Sequence, residues 1–257
     1  MTRNEQWVAF STLTVKEIRR FTRIWLQTLL PPAITMSLYF VIFGNLVGSR
    51  IGEMGGFDYM QYIVPGLIMM SVIQNSYSNV VSSFYSAKFQ HSVEELLVSP
   101  MSPLIVLCGY VAGGVARGLM VAAVVTTLAL FFTKLTLTHA AVTFLVIFLT
   151  AVLFSLAGFI NAVFANSFDD VSIIPTFVLT PLTYLGGVFY SIDLLPDFWR
   201  SVSMLNPVLY MVNSFRYGIL GVSDVNVAFS IGAIFAFTVA LFLFSWWLLH
   251  RGVGIRH

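Results

Sequence analysis

Few residues in this sequence have the type and spacing needed for catalysis or for binding a metal. The four histidines, His91, His139, His250 and His257, lie far apart, so they lack the spacing of a metal site. The single cysteine, Cys108, excludes an internal disulfide and a cysteine-based metal centre. No lysine follows a glycine, as it would in the phosphate-binding loop of a nucleotide site. We therefore predict no catalytic residues, no metal and no cofactor, and any energy must come from a separate subunit.

The composition is that of an integral membrane protein. Of the 257 residues, 58% are hydrophobic and only 9% are charged, whereas a soluble domain carries about 25% charged residues. The formal net charge is +2, so nothing points to binding of nucleic acid. The function must therefore depend on where the few charged residues lie within the apolar segments.

The apolar segments predict an all-α fold with six transmembrane helices. The predicted spans are residues 26–47, 59–85, 104–132, 140–164, 173–190 and 227–249. Residues 1–25 fit an amphipathic helix in the membrane interface, with a solvated leader as the alternative. Its apolar face would hold Trp7, Phe10, Thr14, Ile18, Phe21 and Trp25, and its basic face Lys16, Arg20 and Arg23. Residues 251–257 form a short basic tail.

The third span carries an arginine at membrane depth. Arg117 lies about 20 Å along the helix axis, where a guanidinium must meet carbonyl groups, an acid or water. It is either a pathway or dimer-interface residue, or a structural anchor, and because no acid lies in the middle of any span we expect its partner to be backbone or water. The same span has glycines four residues apart, which predict close contact between helices; these are Gly109 with Gly113 and Gly114 with Gly118.

Residues 173–221 begin as a membrane span and do not end as one. A charged cluster at Asp193, Asp197 and Arg200 follows the apolar part, and residues 205–221 are too short and too polar for a confident span. We predict a span followed by short re-entrant helices that face a protein-lined opening. The predicted gate or substrate-stacking residues are Phe177, Tyr184, Phe189, Tyr190, Asn206, Tyr210 and Arg216, although lipid or helix packing is the more common role of such aromatic residues.

The segment KFQHSVEELLVSPMSP, residues 88–103, predicts a short helix between the second and third spans. Ser92 and Glu95 have the spacing of a capping box, and Pro100 ends the helix within about two turns. Glu94 and Glu95 lie in the first turn, and Leu96 and Leu97 follow as apolar surface on a helix too short to be stable alone. This pattern suggests a docking helix for a cytosolic partner; the alternative is an ordinary turn at the membrane surface.

The distribution of lysine and arginine predicts the orientation. With six spans, one side holds eight basic residues, namely Arg3, Lys16, Arg19, Arg20, Arg23, Lys88, Arg251 and Arg256. The other side holds four, namely Arg50, Lys134, Arg200 and Arg216. Because the richer side is cytoplasmic, both termini and the loop with Glu94 are predicted to face the cytosol.

Two stretches resemble a known family. The strings PLTYLGGVFYS, LLP and LNPVLYMVNSFRYG are similar to the C-terminal signature of the ABC-2 type permeases, the membrane subunits of bacterial ATP-driven exporters. The string EELLVSP resembles the coupling helix of the same family. The resemblance implies a homodimer in the bacterial inner membrane, with two cytosolic ATP-binding subunits contacting Glu94, Glu95, Leu96 and Leu97. It also implies export of drugs, lipo-oligosaccharides or surface polysaccharides.

Two other classes of protein compete with this interpretation. An intramembrane enzyme would need a nucleophile with a base, or a metal cluster, at membrane depth, and the sequence offers neither. A passive channel would not need the helix that carries Glu94. Co-purification of an ATPase separates both alternatives from an exporter subunit.

Overall fold

The computed structural model describes residues 2–254, except for the side chains of Asn45, Leu96, Leu97 and Val98. This part of the chain is mostly helical, as the sequence predicts. The α-helices are α1 (Arg3–Arg23), α2 (Trp25–Thr28), α3 (Leu30–Tyr39), α4 (Gly48–Ile51), α5 (Tyr59–Phe89), α6 (Ser92–Val98), α7 (Pro103–Ala129), α8 (Ala140–Phe164), α9 (Phe168–Ile174), α10 (Thr180–Tyr184), α11 (Asp197–Met204), α12 (Pro207–Leu220) and α13 (Val227–Arg251). Two π-helical segments, Phe40–Val47 and Pro175–Leu179, and a 3₁₀ turn, Ile192–Leu194, complete the helical part; the small hairpin of β1 (Glu53–Met54) and β2 (Phe57–Asp58) was not predicted.

Within the described residues, four helical stretches are long and apolar enough to cross a membrane. They are Trp25–Ile51, α7, α8 and α13. The predicted second span, α5, has 31 residues and is about 46 Å long at 1.5 Å per residue, but its later half, QNSYSNVVSS, is polar. Helix length and hydropathy therefore support four of the six predicted spans, those at residues 26–47, 104–132, 140–164 and 227–249.

Helix α5 forms the centre of the core. It packs against α1, α7, α8 and α12, so its side chains are covered on nearly every side. Ile63, Leu67 and Phe84 have no exposed surface. The polar character of α5 follows from this position, because its polar side chains face neighbouring helices rather than lipid.

The glycines of α7 allow the close helix contacts that their spacing predicts. Gly109 and Gly113 face α1, where an added Cβ atom would lie 2.5 Å from a side-chain carbon. Gly114 and Gly118 face α5 and α8, where an added Cβ atom would also overlap side-chain atoms. Helix α7 is therefore held against three neighbours by positions that accept no side chain.

The predicted fifth span ends earlier than its hydropathy suggests. Helix α9, the second π-helical segment and α10 run continuously from Phe168 to Tyr184, whereas the predicted span continues to Tyr190. The chain turns after Tyr184, and Gly187 adopts a positive φ of 71°, which glycine accepts without steric cost. The boundary at Tyr190 was therefore wrong, because an apolar run alone does not reveal a glycine turn.

The start of α9 is stabilised by a capping box that includes one of its acidic residues. The Asp170 carboxylate accepts hydrogen bonds from the backbone N–H groups of Asn166 at 2.9 Å and Ser167 at 3.0 Å. The Ser167 hydroxyl in turn accepts from the Asp170 N–H, which completes a capping box.

Helix α6 begins and ends close to the predicted residues, but its predicted capping box was wrong. Ser92 is the first helical residue, one position too late to act as the cap, and its hydroxyl donates to the carbonyl oxygen of Ala87 at 3.1 Å. His91 occupies the cap position with a φ of 57°, and its Nδ1 lies 3.0 Å from Oε1 of Glu94. Glu94 therefore pairs with His91, the residue at the cap position of α6.

Candidate functional site

A buried arginine joins α12 to α5 and to the turn after α10. The Arg216 side chain is fully buried. Its Nη2 donates to the carbonyl oxygen of Gly187 at 2.6 Å, and its Nε donates to that of Tyr62 at 3.2 Å. The guanidinium carbon also lies 3.9 Å from the centre of the Tyr62 ring, a cation–π contact. These contacts join α12 to α5 and to the turn after α10, and the predicted gate role of Arg216 stays a prediction.

Asp224 extends this polar network, and the sequence analysis did not identify it. Its carboxylate accepts hydrogen bonds from the Tyr62 hydroxyl at 3.2 Å, the Ser191 hydroxyl at 3.0 Å and the Ile192 N–H at 3.1 Å. Its own N–H donates to Oδ1 of Asn213 at 3.1 Å. The loop between α12 and α13 is thereby tied to α5 and to the segment that follows α10. An acid in a short polar loop gives no signal in the sequence that it will be partly buried.

Two of the predicted gate residues meet in an aromatic cluster. The Tyr184 ring stacks on Phe189, with ring centres 5.5 Å apart, and the Tyr184 hydroxyl lies 3.1 Å from that of Tyr39. Phe43 lies 5.0 Å from Phe189, and the Tyr59 hydroxyl donates to the Phe189 carbonyl oxygen at 3.2 Å. The end of α10 therefore contacts the first apolar helical stretch, through partners that the sequence analysis did not name.

The structure does not bring the other predicted gate residues into this cluster. Phe177 lies on the second π-helical segment and is 73% exposed, and Tyr190 is half-buried in the turn after α10. The Tyr210 hydroxyl donates to the Met204 carbonyl oxygen at 2.6 Å. Asn206 caps α12, and its Nδ2 donates to the carbonyl oxygen of Leu182 at 2.6 Å. Tyr210 and Asn206 therefore fix the start of α12.

A polar groove of about 280 Å³ lies between α5 and the second π-helical segment. Gln74 and Ser78 line it from α5, and Thr176 and Thr180 line it from the facing segment, with Pro175 and Leu179 beside them. No hydrogen bond within the described residues occupies the Gln74 amide or the Ser78 hydroxyl. Free amide and hydroxyl groups on a helix pair of a membrane protein usually face water or a ligand rather than lipid.

Arg117 has a side-chain partner, contrary to the expectation of backbone or water. Its Nη2 donates to Oδ1 of Asn75 on α5 at 3.2 Å. Its Nε is buried without a hydrogen-bond partner in the described part of the chain. An uncharged amide pairs with Nη2 of the arginine, because a carbonyl oxygen accepts from a guanidinium without the need for a carboxylate. The arrangement fits a structural anchor between α5 and α7.

We expect Arg117→Leu to lower the yield of folded protein, because Asn75 and the apolar leucine cannot pair. The loss of one hydrogen bond to a charged group predicts a destabilisation of about 1.5 to 3 kcal/mol. Arg117→Lys should restore part of the yield, since lysine keeps the charge but not the planar donor geometry. Size-exclusion chromatography of membrane extracts measures the monodisperse fraction, and Asn75→Leu alone and in combination tests the coupling. A wild-type profile for Arg117→Leu would contradict the anchor role.

Helix α1 is attached to the core by a buried acid that the sequence analysis did not single out. The Glu17 side chain is fully buried; its Oε2 accepts from the Ser83 hydroxyl at 2.6 Å and lies 3.3 Å from Nε of Arg20. Nη2 of Arg20 donates to both the carbonyl oxygen and Oδ1 of Asn79 at 2.9 Å. Arg20 therefore points toward α5, and its assignment to a basic outer face of α1 was wrong. The location of α1 at the membrane interface stays a prediction.

The acids of the predicted docking helix are exposed, and Glu94 is paired with His91 within the same segment. Glu94 and Glu95 are exposed on α6, while the side chains of Leu96 and Leu97 lie outside the described residues. At the base of α6, Nζ of Lys88 donates to the carbonyl oxygens of Val163 at 2.7 Å and of Ala165 at 2.9 Å. These carbonyls lie at the C-terminal end of α8, where a cation is electrostatically favourable. The segment before α6 is thereby joined to α8.

Among the residues that the structure describes, no group of three or more histidine, cysteine, aspartate or glutamate side chains is placed to hold a metal ion. The side chains of Arg216, Asp224, Glu17 and Arg20 instead bond to other side chains or to backbone groups. The site is therefore an arrangement of helix anchors, a polar groove and an exposed acidic helix.

Comparison with known proteins gives one family. The model of the ABC-2 type transporter family matches residues 8–220, which extend from α1 to the end of α12. The chain is similar to the inner membrane transport permease YadH of Escherichia coli (strain K12), with 59% identity over 250 residues, 97% of this chain and 98% of that protein. It is also similar to Nodulation protein J of Rhizobium leguminosarum bv. trifolii, with 25% identity over 218 residues, 83% of this chain and 82% of that protein.

Proposed function

Because the chain belongs to the ABC-2 type transporter family, we propose that it is the membrane subunit of an ATP-driven exporter in the bacterial inner membrane. Family membership makes the chain a transport permease subunit, and its apolar helices make it a multi-pass membrane protein. The sequence holds no phosphate-binding loop, so ATP would be hydrolysed by a separate cytosolic subunit. We propose a homodimer that works with two copies of that subunit.

The observation that carries this proposal is helix α6, which exposes two acids and follows a segment that is hydrogen-bonded to α8. Glu94 and Glu95 are exposed, so arginine or lysine side chains of a partner can reach Glu95 directly and Glu94 in exchange for its exposed contact with His91. Lys88, four residues before the first residue of α6, is hydrogen-bonded to the end of α8. A push on α6 would therefore reach α5 through the chain and α8 through Lys88. This arrangement supports force transfer from a cytosolic ATPase to the membrane helices.

The coupling proposal predicts that the ATPase dissociates when α6 is altered. Leu96→Ala with Leu97→Ala removes about 1 to 3 kcal/mol of contact at each position if both are interface anchors. Glu94→Lys with Glu95→Lys reverses the charge that we propose attracts the partner. Either double variant should insert normally, yet lose both the bound ATPase in a pull-down and ATP-dependent transport by vesicles. Arginine-to-glutamate changes on the partner should restore part of the binding to the lysine variant.

A matched control uses an exposed acid in a different connecting segment, Glu53. Glu53→Lys reverses a charge in the small hairpin, which we propose lies on the opposite side of the membrane. This variant should keep the ATPase at wild-type stoichiometry. Retention of the ATPase and of transport in both α6 double variants would overturn the assignment of α6. The loop at Asp169 and Asp170 would then be the next candidate.

We further propose six spans with both termini in the cytosol. The two additional spans are α5 and the helix from Phe168 to Tyr184, and the segments from α11 through α12 would re-enter the membrane from outside. The fully buried Arg216 supports this arrangement, because protein rather than lipid surrounds the helix that carries it. The basic residues are also more numerous on the side that holds both termini.

Cysteine labelling tests this topology. In a Cys108→Ser background, an impermeant thiol reagent added outside should label single cysteines at Asp58, His139 and Asp197. It should not label single cysteines at Lys88, Ser167 and Arg256 until the membrane is opened with detergent. Labelling at Arg256 from outside would contradict the six-span arrangement, since it would place the C-terminal tail on the wrong side.

The polar groove is the proposed cargo path within each protomer. Gln74 on α5 and Thr176 on the second π-helical segment both line it and offer hydrogen-bond donors and acceptors. We propose that the Tyr184 and Phe189 cluster closes the outer end of this path. A cargo with hydrogen-bonding groups, such as a glycosylated or polar drug-like compound, suits such a lining.

A further inference from the structure

A separate apolar cavity of about 590 Å³ opens between α7, α8 and α12. Leu119 and Ala122 line it from α7, Ile147 from α8, and Phe215 and Ile219 from α12. No charged side chain is found among its described lining residues. A ligand that fills this cavity must therefore be apolar over most of its surface.

The hydroxyl groups in the lining do not change this conclusion. The Thr127 hydroxyl donates to the carbonyl oxygen of Ala123 at 2.8 Å, within its own helix. The Thr143 hydroxyl donates to the carbonyl oxygen of His139 at 3.1 Å, one turn earlier in the chain. Both donors are used locally, so of the three threonine hydroxyls in the described lining only that of Thr126 is open to a ligand, and the lining stays largely apolar.

The cavity has the depth of one leaflet of a bilayer. Its lining on α7 extends from Leu119 to Leu130, which is about 16 Å along the helix axis. Half of the hydrocarbon core of a membrane is about 15 Å thick. Both α7 and α8 are apolar enough to span the membrane, so the cavity opens where acyl chains are present.

The side chain of Lys134 belongs to the loop at the end of the cavity that is nearest the membrane surface. Beyond Leu130, the loop between α7 and α8 carries the exposed residues Phe131 and Lys134. Lys134 forms no ion pair within the described part of the chain, and Leu135, the next residue, lines the cavity. An aromatic residue and a lysine at this depth are typical of the interface where lipid headgroups lie.

We propose that this cavity binds one phospholipid, with an acyl chain between α7, α8 and α12 and the phosphate close to Lys134. The bound lipid comes from the leaflet on the side of the loop between α7 and α8. The site is separate from the polar groove, with which it shares no lining residue. It therefore gives the permease a resident lipid in addition to its cargo.

Quenching by brominated lipid tests this proposal. A bimane label on a single cysteine at Ala123, in a Cys108→Ser background, reports from the cavity wall in purified protein in detergent. Phosphatidylglycerol with brominated acyl chains should quench the label saturably, at about one lipid per protein. The same label at Val239, an exposed position on α13, should be quenched in proportion to the total lipid. A proportional response at both positions would overturn the proposal.

Two further variants separate the lipid tail from its headgroup. Lys134→Gln should weaken binding of brominated phosphatidylglycerol about five-fold, because one basic residue near the phosphate is lost, and should leave binding of phosphatidylcholine less affected. Thr126→Phe should fill the cavity, so native mass spectrometry should find one bound phospholipid fewer than in the wild-type protein. If the unlabelled Ala123→Cys protein instead forms a disulfide-linked dimer, and the bimane-labelled sample is not quenched, a second copy of the chain occupies the cavity and the proposal is wrong.

Discussion

Replacing Arg216 by alanine is expected to destabilise the folded protein by about 3 to 5 kcal/mol. The change removes a fully buried side chain that donates to the carbonyl oxygens of Gly187 and Tyr62. Both carbonyls would remain buried without a strong donor, and a cavity would form beside the Tyr62 ring. We expect the thermal unfolding midpoint in detergent to fall by about 10 °C.

Two further arginine variants make this result specific. Arg216→Lys keeps the charge but cannot reach both carbonyls with one planar group, so an intermediate loss of stability is expected. Arg200→Ala is the matched control, because Arg200 is exposed and forms a surface ion pair with Asp193 at 3.0 Å. Such a pair contributes about 0 to 1 kcal/mol. An unfolding midpoint for Arg216→Ala equal to that of Arg200→Ala would show that the buried network does not stabilise the fold.

Replacing Glu17 by alanine is expected to release α1 from the core, at a cost of about 2 to 4 kcal/mol. The buried Ser83 hydroxyl would lose its acceptor, and Arg20 would lose its neighbouring acid. Limited proteolysis of purified protein should then cut within α1 at protease concentrations that leave the wild-type helix intact. Glu17→Gln should give a smaller effect, since its amide oxygen still accepts a hydrogen bond from Ser83.

Glu5 provides the control for this experiment. It lies in the same helix, is exposed and forms a capping box with Thr2. Glu5→Ala should cost about 1 kcal/mol through fraying of the first turn and leave the rest of α1 protected. If Glu17→Ala and Glu5→Ala give the same cleavage pattern, the buried acid does not attach α1 to the core.

Local features of this protein could be predicted from its sequence because they depend on neighbouring residues. The glycine pairs of α7, the helix start at Ser92 and the cap at Asp170 all follow from short-range spacing. The positions of most apolar helices also follow from their composition. The capping box at Ser92 failed because the backbone of His91 takes the cap position instead.

The polar contacts of the candidate site were harder to predict because they join distant parts of the chain. Arg216 and Tyr62 are 154 residues apart, and Tyr184 and Tyr39 are 145 apart. A single sequence contains no signal for such pairings. The partner of Arg117 was missed for a related reason: a search for an opposite charge passes over an uncharged amide such as Asn75.

The enclosed position of α5 has a consequence for how the protein is made. The protein-conducting channel releases a segment into lipid according to its own hydrophobicity. Helix α5 carries Asn75 and Ser76 in its centre, and both side chains are buried where α5 meets α7, with Asn75 accepting from Arg117. Helix α7 is synthesised after α5. As the proposed second span, α5 must therefore wait for α7 before it is stable in the membrane, so biogenesis of this permease is completed out of the order in which its helices leave the ribosome.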